Sequence, residues 1–346
     1  MPGATLAAKL QWIKDNAAND THYIVEVNAD EAIAPHDMSY DGKTGIKITI
    51  RGMTSERTVS LTQNGILFNV MQDVQLTLDN RITLSGGGSN NNTLVRVIQN
   101  AKFIMKDGSK ITNNRHRGVT LSGANTSFVM DGGEISNNTV TNNAGGGVFI
   151  WRGAFVMNGG LITKNISNSA LGHPSGGGGV MLDSEPASFT MNGGTISENA
   201  VTGGNTSTGG ANGSGGGVGL SGGTFTMTGG NIIKNTTVGE GGGVNVLTST
   251  FIMSGGTIAG NSARQGGGVH IRGNTFEKKN EGGIIYGSDG GDNANTVTVP
   301  TNPANAVYVW GSGGVHRVTT VEANERLYYH HASGGSMTTE GNWIQN

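Results

Sequence analysis

FVMNGGLITKN, residues 155–165, is one of six copies of a single unit. The others read FIMKDGSKITNN (103–114), FVMDGGEISNN (128–138), FTMNGGTISEN (189–199), FTMTGGNIIKN (225–235) and FIMSGGTIAGN (251–261). A worn seventh, FEKKNEGGII, spans 276–285. Repetition at this period marks a solenoid, in which each unit stacks on the one before and none buries its apolar face alone.

Each unit reads as three short strands. The first follows a glycine run and begins at Val119, Val148, Val180, Val218, Val244 or Val269. The second is Phe-x-Met, and the third carries Ile111, Ile135, Ile162, Ile196, Ile232 or Ile258. Successive strand residues face opposite sides. Val148 and Ile150, then Phe155 and Met157, then Ile162 therefore point to one interior, and the same choice holds in every unit. The Gly-Gly pair after the methionine predicts a tight corner at positive φ. An asparagine follows each isoleucine by three residues: Asn114, Asn138, Asn165, Asn199, Asn235 and Asn261. This pattern predicts an internal ladder of amides bonded to stacked neighbours and turn backbone, rather than a row of ligand-binding groups.

The ends differ from the middle. Leu6, Leu10, Ile13 and Ala17 fall on one face of a helix over residues 4–17, and a solenoid needs its apolar end covered. The expected fold is all-β: a right-handed parallel β-helix of three-strand coils with an N-terminal capping helix and a β-rich C-terminal closure. The expected boundaries are 1–22 for the helical cap, 23–100 for irregular first coils, 101–287 for regular repeats and 288–346 for the C-terminal cap.

Composition removes several function classes. The chain has 346 residues with 61 Gly but no Gly-X-Y period, so it is not collagen. A net charge of -2 makes no electrostatic case for nucleic acid or an acidic membrane. Apolar runs are strand-length, too short to span a bilayer as helices. Cysteine is absent, which removes disulfides, zinc-thiolate sites and cysteine nucleophiles. Met1-Pro2-Gly3 opens without the basic segment and apolar core of a secretion signal. An extracellular or cell-surface location therefore implies a leader that this sequence does not carry.

The pattern GGGV-x-(I/L/V) followed by F-x-M-x-GG-x-I-x-x-N resembles the secreted parallel β-helix repeats of bacterial surface proteins, especially the treponemal type. It is more loosely similar to the repeats of chlamydial polymorphic outer-membrane proteins. The likeness covers residues 100–290 well, and NGILFNVMQDVQLTLDN (64–80) is similar to the lead-in of the treponemal group. The resemblance implies the fold, a cell-surface location and an adhesin or antigen role.

Parallel β-helices also include polysaccharide lyases and glycoside hydrolases, so catalysis is the alternative. Asp183 with His270 or Arg272 is the best acid/base pair in the outward rows. At roughly 4.8 Å per coil their three-coil separation is about 14 Å, beyond the ~5–9.5 Å between glycosidase carboxylates. Glu185 could join Asp183, but Asp-x-Glu alone is a weak signal. Ice binding would want a threonine face, and the outward row Ile104, Val129, Val156, Thr190, Thr226, Ile252 holds two. SDGGDN (288–293), with Asp289 and Asp292, lacks the spacing of known calcium loops. His316, His330 and His331 do not share one strand face. No cofactor or metal is expected.

A binding face remains. Phe149 and Trp151 point outward, Met181 and Asp183 lie one coil on, and Arg152 sits beside them. These five are the candidate ligand site, suited to the face of a sugar ring or to another host surface ligand. The long segments 166–176 and 200–214 leave adjacent coils at the corner leading into these strands. The expected function is a non-catalytic, adhesive or ligand-binding scaffold. The apolar outer strip Ile104, Val129, Val156 and Ile252 further suggests a covering partner, a second copy or a terminal segment.

Overall fold

The computed structural model describes residues 2–168, 176–203, 215–272, 275–279, 283–287, 290–298, 306–310, 316–318 and 327–330, with side chains as far as Trp310. It is a parallel β-helix, and every inter-strand pairing runs parallel. A right-handed course is the one that twisted parallel strands favour for such crossovers.

The helix α1, Leu6–Asn16, opens the chain. Its Thr5 cap accepts a hydrogen bond from the Ala8 N–H, and the carboxylate of Glu31 accepts from the Leu6 N–H at 2.8 and 2.9 Å. Both satisfy amides that a helix start leaves without partners and place negative charge where the helix dipole favours it. Leu6, Leu10 and Ile13 are fully buried against the first coil, and Ala17 packs at the margin of the same core.

Winding begins at His22–Val27, and the first coils already hold the register of the repeats. Ile48 pairs with Leu76, and Leu76 with Phe103, so the phenylalanine row continues an aliphatic one. Phe103, Phe128, Phe155, Phe189, Phe225, Phe251 and Phe276 then stack, with ring centroids 4.5–4.8 Å apart through the middle of the row. That is the spacing of hydrogen-bonded strands, so coil pitch and ring stacking agree. Every valine, phenylalanine, methionine and isoleucine assigned to the interior is buried.

The asparagine row is an internal ladder, longer than the motif indicates. In mid-ladder, Asn165 donates from Nδ2 to Asn199 Oδ1 (3.0 Å) and to the Ile135 carbonyl (2.9 Å). Its Oδ1 accepts from the backbone and side-chain amides of Asn138. Asn90 and Asn295 extend the row at its two ends.

Two features depart from the three-strand expectation. A fourth row of two- or three-residue strands follows the ladder: Thr139–Thr141, Ile166–Asn168, Ala200–Val201, Thr236–Thr237, Ser262–Ala263 and Thr296–Val297. The glycine runs exist to fit it. A Cβ on Gly146 would lie 2.9 Å from the Ile166 backbone, and one on Gly147 would lie 3.1 Å from Asn165 Nδ2. Gly145, at φ +74, turns the chain back over the outer face of Phe149. At the C-terminal end, Val307–Trp310 pairs with Val269–Arg272, and Leu327–His330 pairs with Val307–Trp310. The stack therefore continues beyond the point where the sequence motif is lost.

Candidate functional site

The strand Val148–Met157, like Val119–Met130 in the coil before it, runs unbroken through what in the later coils is a corner between two strands. It pairs with Val119–Met130 in register as far as Leu121↔Ile150, and then Ser122 lies opposite Arg152. Trp151 is the extra residue, a bulge that turns its side chain away from the ladder. Its expected place opposite Ser122 is thus taken by Arg152. The indole is 42 % exposed, one of few large apolar side chains so open. The Arg152 guanidinium lies 5.2 Å from its ring centroid.

Phe149 and Met181 pair on adjacent strands but are not open to solvent. Met181 is buried and Phe149 half-buried, because the glycine runs fold back over this outward row, at Gly145 against Phe149 and at Gly177 against Met181. The Arg117 guanidinium, which the motif search did not single out, lies 3.7 Å above the Phe149 ring. It donates to the Ala144 carbonyl at 2.7 Å and to Asn143 Oδ1, and so pins the segment before Gly145 onto the ring. Burial pulls the Arg117 pKa down to about 10, while the nearby Asp183 carboxylate pushes it up. Asp183 is held by its own N–H, which donates to the Ile150 carbonyl at 3.0 Å, and its Oδ2 accepts from the Ser184 hydroxyl.

The five candidate residues thus occupy one corner in two tiers. Trp151 and Arg152 are exposed, Phe149, Met181 and Asp183 are covered to differing degrees, and Arg117 joins Phe149 and Asp183 within the covered tier. Glu185 does not converge on Asp183, since its Oε1 accepts from the Gly223 N–H one coil on. Of the segments expected to wall the corner, residues 169–175 and 204–214 lie outside the described residues. Their described stems, Ile166–Asn168 and Ala200–Val201, pair side by side.

Other sequence candidates resolve differently. Asn245 and His270, read as outward, are both buried beneath the same returning chain. Asp292 lies exposed in the 3₁₀ turn Gly291–Asn293, while Asp289 and His331 lie outside the described residues, as do the side chains of His316 and His330. Among the described residues, no three His, Asp or Glu side chains converge as a metal site. A depression of about 450 Å³ lined by Asp79, Lys106, Asp107 and Asp131 opens at the opposite corner, after the phenylalanine strands. No helix among the described residues is long and apolar enough to cross a membrane.

Comparison with known protein families, with curated proteins and with solved structures finds no match to this chain.

Proposed function

We propose that this chain is a non-catalytic scaffold of the bacterial cell surface, displayed outside the cell, that binds a ligand of the glycan class at the Trp151 corner. The observation that carries this reading is the indole itself. It is open on a molecule whose stacked phenylalanines are all sealed inside. An exposed aromatic face beside a cation and a carboxylate offers a sugar ring apolar contact and hydrogen bonding at once. Glu185 engages the Gly223 backbone rather than Asp183, which supports binding rather than turnover. The surface location rests on the repeat resemblance. The strip of Val129 and Val156 extends the proposal to self-association, since a second copy would cover it.

A glycan array run beside a reducing-end release assay on the same polysaccharides tests the assignment. Trp151→Ala should lower affinity at least tenfold with an unchanged melting temperature, and Asp183→Asn should have the smaller effect. Polysaccharide cleavage that disappears in Asp183→Asn while binding persists would replace this reading with a lyase or hydrolase.

A further inference from the structure

A second cluster of buried polar groups, apart from the asparagine ladder, lies towards the C-terminal end on the outward row of the valine strands. Asn245, His270 and Tyr308 follow one another on successive strands. His270 is 0 % exposed and Asn245 3 %. The imidazole Nδ1 lies 2.8 Å from Asn245 Oδ1, an acceptor, so Nδ1 carries the proton. The ring stacks on Tyr308 at 5.3 Å between centroids. Nε2 meets no hydrogen-bond partner among the described residues.

Glu240 comes down onto this imidazole from the segment that follows Thr236–Thr237. It is 2 % exposed. Its carbonyl accepts from the Gly215 N–H at 2.8 Å, and its backbone bridges to Gln265. Its carboxylate turns inward: Oε1 lies 3.6 Å from the Arg264 guanidinium, and Oε2 lies 3.6 Å from His270 Nδ1. Oε2 has no hydrogen-bond partner among the described residues.

Among the described residues, the groups facing the imidazole are therefore one carboxylate, Glu240; two guanidiniums, Arg264 and Arg272; and the neutral Asn245 and Tyr308. A neutral ring fits this enclosure. A protonated ring would be a third cation against one anion, and would bury a new Nε2–H with no acceptor.

We propose that Glu240 and His270 form an acid-released clasp, in which the neutral imidazole lets the segment 238–241 close over the coil and uptake of one solvent proton at Nε2 drives it open. Burial, reinforced by Arg272 and Arg264, holds the imidazole pKa down to about 3 in the closed form. An opened histidine titrates near 6.5. A depressed histidine contributes stability that is present above the ordinary value and is lost as pH falls from about 6.5 towards 3. Glu240 acts in the opposite sense: burial raises its pKa, so the closed form accommodates its proton more readily. That opposition keeps the clasp graded rather than abrupt. Release would also loosen Gly215, whose N–H is tied to Glu240 and which ends the 204–214 segment. The clasp does not depend on the glycan reading.

Amide hydrogen exchange at pH 7.5 and pH 5.0, corrected for the intrinsic pH dependence of exchange, tests it. Protection over 241–246 and 266–271 should fall about tenfold or more at pH 5.0. Protection at Val180–Leu182 should hold, and His270→Gln should remove the pH dependence over 241–246. Full protection of 241–246 at pH 5.0 in the parent protein would overturn the proposal. So would an equal loss at Val180–Leu182, or an undiminished pH effect in His270→Gln. Should that variant fail to fold, the comparison of the two regions in the parent protein decides alone.

Discussion

Phe155 lies between Phe128 and Phe189 with both rings nearly parallel to its own, at 4.5 and 4.7 Å. Phe155→Ala would leave a gap that neighbouring coils, locked by their own ladders, cannot close. A loss of about 3–5 kcal/mol is expected. Asn165→Ala strands the Ile135 carbonyl and the amides of Asn138, and should cost about 1–3 kcal/mol. Urea denaturation reads both, and variants indistinguishable from the parent would refute the interior assignment. These residues were legible because their identity repeats. The residue before each ladder asparagine was not. Asn113, Asn137, Lys164, Glu198 and Lys234 all sit near φ +55, and Gly260 joins them at φ +63. Only Asn and Gly announce that left-handed geometry. At Lys164, Glu198 and Lys234 the two amide bonds on either side impose it, and nothing in the side chain records it.

At the scale of the strand, alternation revealed the inward faces and mis-stated two outward ones. Trp151 and Ser122 fall at matching places in the motif, but Trp151 is an extra residue on the strand with the shorter, 7-residue spacing from valine to phenylalanine, and residues 123–126 opposite Gly153 take up both that shift and the longer 9-residue spacing of the other strand. Met181, Asn245 and His270 alternate outward yet are roofed, because strand periodicity cannot report what a returning loop covers. The fourth strand row was hidden for a further reason: pieces of two or three residues carry too little pattern to read. The outer face of the phenylalanine strands was legible and stays partly open. Ile104, Val129 and Val156 are half-buried on successive strands, and Ile252 is half-buried three strands further on. If a second copy packs there, Val129→Lys with Val156→Lys should reduce the light-scattering mass to that of one chain. A parent protein already monomeric, with a melting temperature that the double variant leaves unchanged, would remove the need for any cover.

For the molecule as a whole, one buried and two half-buried histidines set the response to acid. Burial lowers His36 and His116 to about 4 and His270 to about 3, aided by Lys14, Arg117 and Arg272 respectively. Each depressed value means stability held above about pH 6.5 and lost as pH falls towards the folded value. The loss at pH 5 is about 2 kcal/mol for His270, and less for the partly exposed His36 and His116, where solvent screens the charge. The three sit in the first, middle and last thirds of the chain, so acid should weaken the solenoid at three separate places rather than fray one end. Calorimetry should find a melting temperature level between pH 7 and 8 and falling steadily below 6.5. A flat profile down to pH 4.5 would contradict the buried neutral histidines.

The sameness of the interior rows has a cost in information. Phe128 would sit on Phe189 as comfortably as on Phe155, and Asn138 could pass its hydrogen bond to Asn199 as well as to Asn165. Contacts alone therefore do not tell one coil from the next, and the interior is written in an alphabet with one letter per row. A coil's address comes from elsewhere: from the few links of chain that tie it to its predecessor, and from the seam where Leu76 gives way to Phe103. Counting has to start at an end that is unlike the rest, and α1 on the first coil is such an end. A duplicated coil in the middle would be admitted without any interior row registering the intrusion, so the core constrains the cross-section of this molecule and not its length.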